Sequence, residues 1–348
     1  MNTRIITVNN SVALDEQLFP CAKIIKEGGL VVFPTETVYG LGADATNPEA
    51  AKKIYTAKGR PSDNPLIIHI ANPRDAEKYT FTTPLYYRLA EAFMPGPLTV
   101  IMRSRDSVPR ETRGGLDTVA VRCPSSKIAN RLIELSGVAI AAPSANLSGT
   151  PSPTNARHVM DDMQGRVDVI IDGGDCDFGL ESTIVKLEGD DAVTLLRPGR
   201  ITVDDLLALG IRVNVADAVT NELREGEVAL SPGMKYRHYA PTCEVVLFDG
   251  SIEKLVKYIK KTEMRNTAVI AYNEDKAIIE KELPHAVVYD FGKKLDLFDQ
   301  AHHLFNILRE ADKENYDVIY APLPSSDGIG LALYNRMIRA AAHKIIRL

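Results

Sequence analysis

Tryptophan is absent from this 348-residue sequence, aromatic residues supply only 6% of it, and basic side chains do not outnumber acidic ones. With 41 Lys and Arg against 46 Asp and Glu the formal charge is −5, which disfavours a protein that grips nucleic acid through a broad basic surface. Long apolar runs are lacking as well: none approaches the ~20 residues that span a bilayer, and the N-terminus carries no signal-peptide hydrophobic core. Cysteine is sparse. Cys21, Cys123, Cys176 and Cys243 lie far apart with no C-x-x-C pair, so neither a structural zinc site nor a disulfide framework is suggested. A reduced, cytoplasmic protein with no membrane partner is the expectation. Signature motifs are missing too: there is no G-x-x-x-x-G-K-[ST] loop, no G-x-G-x-x-G after the first strand, no H-E-x-x-H and no G-x-S-x-G. The common P-loop, dinucleotide, zinc-protease and α/β-hydrolase readings are thereby set aside, and any phosphate site must be built another way.

What is present is ordinary in composition and long enough for two domains. The densest chemistry lies in residues 28–70. Leu30, Val31, Val32 and Phe33 predict a short strand that Pro34 ends. Thr35, Glu36, Thr37 and Tyr39 then sit in a polar turn at its mouth, with Gly40 and Gly42 permitting close approaches that a side chain would block. Asn47 before Pro48 reads as the cap of a helix that buries Ala51, Ile54 and Tyr55 and is ended by Gly59 and Pro61. Lys58 and Arg60 emerge at its exit, followed by Ser62, Asn64 and a strand over 66–70 on which His69 shares a face with Ile67. The helix dipole alone explains a cation at a C-terminus, and core packing explains a lone strand histidine. Two cations, two small polar side chains and a histidine within a dozen residues also suit an anionic, phosphate-bearing ligand.

Elsewhere, helices are predicted over 14–27 and 84–94 and strands over 98–102 and 118–122. On the last of these Thr118, Ala120 and Arg122 share a face, which can present a hydroxyl and a guanidinium together; an edge strand with one solvated face explains the same pattern. GVAIAAPSANLSG at 137–149 reads as a buried strand broken at Pro143 into a loop carrying Ser144, Asn146 and Ser148, with Thr154 capping a helix beyond it. Strands over 168–172, 182–187 and 193–196, the last running into Arg197, and a helix over 202–209 complete an α/β domain at 1–212 with a twisted, mixed sheet. Regularity fades over 213–241, where SPGMKYRHYAP is too rich in aromatic and cationic residues for a passive tether and reads as a lid. From 242 to 348, strands at 244–248, 267–272, 286–289 and 318–321 alternate with helices at 252–261, 296–311 and 329–343, a smaller Rossmann-like parallel α/β domain. Gly328, Gly330 and Asn335 there are read as helix-start packing.

Taken in order, PTETVYGLG, the K-x-R-x-x-x-N run from Lys58 to Asn64, PGPLT, the strand ending in Arg122, APSANLSG, ESTIV, LLRPG and KYRHYAP resemble the threonylcarbamoyl-AMP synthases. The likeness is to their long form, a YrdC-like catalytic domain followed by an accessory domain. It implies a nucleotidyltransferase that joins L-threonine, bicarbonate or CO2, and ATP into threonylcarbamoyl-AMP, releasing pyrophosphate, with Mg²⁺ bridging the phosphates. Separate transfer proteins would then modify the adenosine beside the anticodon of certain tRNAs, with weak or no direct tRNA binding by this chain. Carried over by motif, the threonine pocket comprises Thr37, His69, Arg122, Ala142 and Ser182. The nucleotide falls to Arg60, Asn64, Thr118, Ser144, Ser152, Arg197 and, from the linker, Tyr236, with Lys58 and Arg60 as the catalytic cations. Members often carry a histidine shortly after the arginine strand, where this chain has Ser126.

The chemistry explains the residue types. Threonine's amine adds to the carbon of bicarbonate or CO2, and the resulting carbamate oxygen attacks the α-phosphorus of ATP in line with departing pyrophosphate. Positioning and charge neutralisation are most of that task. Two other classes compete. An RNA-binding module on a YrdC-like surface is disfavoured by the charge and aromatic content, and a carbamoyl transferase acting on carbamoyl phosphate by the missing zinc-binding and acylphosphatase-like regions.

Overall fold

Val31, Val32 and Phe33 are fully buried, and as β-branched and aromatic residues they form an interior strand of the first sheet. The computed structural model describes residues 2–221, 230–231, 239–262 and 266–348. By contacts the chain divides into a unit of Met1–Ser148 with Ser152–Lys235 and a unit of Gly149–Pro151 with Tyr236–Leu348.

The first unit runs β1 (Arg4–Thr7), α1 (Leu14–Lys26), β2 (Val31–Pro34), β3 (Tyr39–Asp44), α2 (Pro48–Lys58), β4 (Ile67–His69), α3 (Pro84–Phe93), β5 (Leu98–Arg103) and β6 (Thr118–Arg122). It continues with α4 (Lys127–Ser136), β7 (Ile140–Ala141), α5 (Ala156–Met163), β8 (Val169–Asp172), β9 (Thr183–Glu188), β10 (Ala192–Arg197), α6 (Val203–Ala208) and β11 (Arg212–Val215). Among the described residues these strands form one sheet in the order β1-β8-β2-β3-β7-β4-β6-β5-β9-β10-β11. It is mixed: β6 lies parallel to β4 and antiparallel to β5, while β9 lies parallel to β5 and antiparallel to β10. Leu18, Cys21, Ala22 and Ile25 of α1 pack with Leu132 and Ile133 of α4 on Val31, Phe33, Val169 and Ile171. This apolar layer fixes one half of the sheet.

Local signals placed α2 well. The Asn47 side chain accepts from the amides of Glu49 and Ala50, Pro48 occupies the first turn, and Gly59 ends the helix in the left-handed conformation. Several expectations need correction. Gly40 and Gly42 belong to β3, which pairs antiparallel with β2, so the polar turn is the tip of a hairpin. A β-carbon at Gly42 would lie 2.6 Å from the Phe33 ring and 2.8 Å from Ile140, which is why a strand here carries glycine. Strand β2 does end at Pro34, as expected, and Pro34 itself pairs with Tyr39. The strand in the 137–149 run shrinks to two residues, and α5 is capped by Asn155, not Thr154. Helix α4 and strand β11 were not expected at all.

In the second unit β12 (Glu244–Asp249), α7 (Ile252–Thr262), β13 (Thr267–Ala271), α8 (Lys276–Glu282), β14 (Val287–Asp290), α9 (Leu297–Asp312), β15 (Val318–Pro322), α10 (Gly330–Ala340) and β16 (Ile345–Arg347) follow one another. The sheet order is β14-β13-β15-β12-β16, and its pairings are parallel. Leu255, Ile259, Val269, Ile279, Val318 and Tyr320 are in its core. At Gly330 a β-carbon would meet the Ser325 carbonyl oxygen at 2.7 Å, so packing accounts for that glycine. Among the described residues no helix is long and apolar enough to cross a membrane.

The hairpin generates a stability prediction. Gly42→Ala forces its methyl group into Phe33 and Ile140, and a loss of about 1–3 kcal/mol is expected from overpacking. Urea unfolding of the variant beside the parent chain checks it; equal midpoints would show that the pocket can relax.

Candidate active site

The central strands of the first unit carry the site. His69 ends β4, Arg122 ends β6, and the parallel register sets them side by side. Across the other edge of β6, Arg122 is registered with Thr99 near the start of β5. Register partners share a face, so an imidazole, a guanidinium and a hydroxyl stand in a row across three strands. Because β6 lies between β4 and β5, the edge-strand explanation of Arg122 falls away.

Arg122 is buried, and its guanidinium needs an anion. Nη2 donates to Glu36 Oε1 at 2.7 Å and, more weakly, to Thr35 Oγ1 at 3.5 Å. The two charged side chains are only 5% and 9% exposed. A buried pair of this kind is favourable only when the remaining polar atoms are satisfied, yet Arg122 Nε and Glu36 Oε2 are buried with no hydrogen-bond partner. The turn that carries Glu36 is rigidly held. Thr35 Oγ1 donates to the Val38 carbonyl at 2.7 Å and lies 2.9 Å from Thr37 Oγ1, while the carbonyls of Glu36 and Thr37 accept from the amides of Phe178 and Gly179. Beside it a cleft of about 790 Å³ is lined by Thr35, Glu36, Ser126, Gly173, Asp175 and Asp177 among others.

Ser182, the residue before β9, reaches the row through its side chain. Its hydroxyl lies 2.8 Å from Thr99 Oγ1 and accepts from Arg197 Nη2 at 3.1 Å, and Arg197 Nε donates to the Ser182 carbonyl at 3.0 Å. Ser152 donates to Glu181 Oε1 at 2.6 Å, one residue away from Ser182. The chain after Arg197 can lie this close only because residue 199 is glycine: a β-carbon there would fall 2.5 Å from the Thr183 amide nitrogen. Ala142 follows β7, and its amide donates to the Ile67 carbonyl at 2.9 Å.

A second cluster forms at the exit of α2. The Lys58 ammonium donates to the carbonyls of Ser144 at 2.5 Å and Asn146 at 2.6 Å, and Ser144 Oγ donates to Asn146 Oδ1 at 2.5 Å. Lys58 is 2% exposed, so the helix dipole alone does not account for it; these carbonyls replace the lost water. Arg60 uses Nε and Nη2 on the Asn64 carbonyl at 3.3 and 3.2 Å and Nη2 on the Pro65 carbonyl at 3.0 Å, which folds the 60–65 loop about its own guanidinium. Asn64 Oδ1 is buried without a partner. Thr118 is half-buried at the far end of β6, four residues and so ~13 Å from Arg122. Tyr236 and its neighbours Arg237 and His238, and with them most of the expected lid, lie outside the described residues.

Ser126 caps α4 by accepting from the Ala129 amide and donates to the Pro34 carbonyl at 3.1 Å, so it ties the mouth of β2 to that helix. Glu36, Thr99 and Asn146 carry no expected role beyond their presence in motifs, and the structure places each of them against an expected site residue. Among the described residues no group of three or more His, Cys, Asp or Glu converges to hold a metal ion.

A family model described as telomere recombination matches residues 23–199, and one described as threonylcarbamoyl-AMP synthase, C-terminal domain, matches residues 201–342. The chain is 43% identical to the threonylcarbamoyl-AMP synthase of Pyrococcus abyssi, with 94% of each chain covered. It is 41% identical to that of Bacillus subtilis, over 96% of this chain and 95% of the relative. The crystal structure of Pyrococcus abyssi Sua5 complexed with L-threonine superposes with a TM-score of 0.89 at 41% identity, covering 99% of this chain and 100% of that one.

His69 yields a pH prediction. Burial, and after it the Arg122 charge, pushes its imidazole down to about 3, so it is neutral at neutral pH. Its unfolded value is near the ordinary ~6.5, hence the unfolded chain binds the extra proton first as pH falls. Stability is complete above that value and is lost as pH drops toward 3. His69→Gln should flatten this part of the profile, and the difference between the two proteins should change by on the order of 1–2 kcal/mol between pH 7 and pH 5. Urea unfolding at the two pH values tests it; parallel profiles would mean that His69 protonates freely in the folded state.

Proposed function

The chain belongs to the threonylcarbamoyl-AMP synthase family, and from that premise we propose that it makes threonylcarbamoyl-AMP and pyrophosphate from L-threonine, bicarbonate or CO2, and ATP. The observation that carries this reading is the buried row of His69, Arg122, Thr99 and Ser182, which offers a cation and neutral hydrogen-bonding groups at adjacent strand ends. Arg122 takes the threonine carboxylate with its planar fork. His69, kept neutral by burial, and Ser182 supply hydrogen bonds without further charge, while Thr37 and the small Ala142 close the wall.

Arg60, Asn64, Thr118, Ser144, Ser152 and Arg197 hold the nucleotide, joined by Tyr236; in this reading the segment 213–241, whose first residues complete β11, links a catalytic domain at 1–212 to an accessory domain at 242–348. Lys58, Arg60 and Arg197 offset negative charge on the phosphoryl oxygens as the carbamate oxygen attacks. Mg²⁺ would arrive on the nucleotide's own phosphates and add to that neutralisation, which suits a chain whose described residues gather no carboxylate cage. Walls as buried as these exclude water and protect the carbamate from decomposition. The product would pass to separate proteins that modify tRNA, in keeping with the acidic net charge.

The full chain with ATP, Mg²⁺, threonine and bicarbonate is expected to release pyrophosphate, and omission of either threonine or bicarbonate should abolish it. A rate indifferent to threonine overturns the proposal. Arg122→Lys keeps the charge but loses the fork, so the threonine KM should rise at least about tenfold with the ATP KM little changed. Equal rises for the two substrates would remove Arg122 from the carboxylate.

A further inference from the structure

We propose that Glu36 binds the α-ammonium group of the amino-acid substrate, completing with Arg122 a two-handed clamp for a zwitterion; this rests on the reading of the site as a threonine pocket.

The buried ion pair is incompletely matched. Arg122 and Glu36 meet through a single contact, Nη2 to Oε1 at 2.7 Å. An arginine and a carboxylate can pair through two parallel hydrogen bonds, and one pairing that way leaves fewer buried atoms unsatisfied. Here the pair stops half made: Arg122 keeps a buried, unpartnered donor at Nε and Glu36 a buried, unpartnered acceptor at Oε2. Such atoms are expensive to hold in a protein interior and ask for an explanation. An α-amino acid supplies both missing partners, a carboxylate that accepts from the arginine and an ammonium that donates to the glutamate.

Among the described residues no other group facing the pair does this work. The hydroxyls of Thr35 and Thr37 are engaged with one another and with the Val38 carbonyl, and His69 is neutral. Glu36 is also one of the residues that line the cleft of about 790 Å³ beside the turn. Its main-chain carbonyl is fixed by the Phe178 amide, so the carboxylate is delivered from a braced turn. Bound in this way, the substrate nitrogen that must form the bond to carbon is held by Glu36 and the carboxylate by Arg122, which leaves little rotational freedom about the α-carbon. The arrangement selects for an α-amino acid over a hydroxy acid of the same shape, because without the ammonium the glutamate oxygen stays unpaired.

The test compares two ligands and three proteins by calorimetry on the full chain. The ligands are L-threonine and the 2,3-dihydroxybutanoate of matching configuration, in which a hydroxyl replaces the ammonium. The parent chain should favour threonine by about 10–100-fold, the range of one hydrogen bond to a charged group. In Glu36→Gln that preference should collapse to a few-fold through weaker threonine binding, with hydroxy-acid affinity nearly unchanged; Glu36→Asp should recover part of it. If Glu36 only anchors Arg122, the two ligands weaken together in Glu36→Gln, and that result, or no change for either, overturns the proposal. Should Glu36→Gln fail to fold, Glu36→Asp decides, since its retracted carboxylate must still cost threonine more than the hydroxy acid. A parent chain that binds no threonine overturns the function proposed above as well, whereas threonine-dependent pyrophosphate release with equal losses in the variants sinks the ammonium assignment alone.

Discussion

A guanidinium cannot be buried alone, and much of the first unit is arranged around that constraint. Arg122 stands on a strand flanked on both sides, where the lost hydration must be replaced by protein groups. The hairpin of β2 and β3 brings Glu36 to it, the chain at Phe178 and Gly179 braces the hairpin, and Ser126 ties the end of β2 to α4. Removing Glu36 altogether would leave a buried charge with a single weak hydroxyl contact, which is why hairpin, helix cap and central strand are best regarded as one structural unit.

The same economy recurs at two further cations. Lys58 is satisfied by main-chain carbonyls of the 144–146 loop and Arg60 by those of residues 64 and 65. Each charged head therefore shapes a loop by gathering its carbonyls, and the loop in turn presents Ser144 or Asn64. Folding and site construction are served by the same hydrogen bonds, so a substitution at Lys58 or Arg60 changes loop geometry as well as charge.

How much of this was legible in the sequence depended on range. Helix α2 was readable at both ends because Asn47, Pro48 and Gly59 act on neighbours within a few residues. Strand β3 was not, because its glycines contradict strand propensity and are explained only by Phe33 and Ile140 pressing from other strands. Helix α4 is different: Ser126 before it, Gly137 after it and buried positions 129, 132, 133 and 136 at helical spacing were all present in the sequence. The residue types of the site were visible through motifs, and the alternation that puts Thr118 and Arg122 on one face was correct. The Arg122 to Glu36 pair spans 86 residues of sequence, and no local pattern could announce it.

The row from His69 through Arg122 to Thr99 has a property that side chains do not control. Its spacing is that of three hydrogen-bonded strands, β4, β6 and β5, so its total width is two ladder rungs, roughly 10 Å. That width is a constant of peptide geometry. Substitutions can make the floor deeper, shallower or differently charged, but they cannot stretch it. The fold therefore works as a fixed gauge for whatever rests across those strands, and variation in the size of the bound molecule has to be accommodated along the strands or by the loops above them.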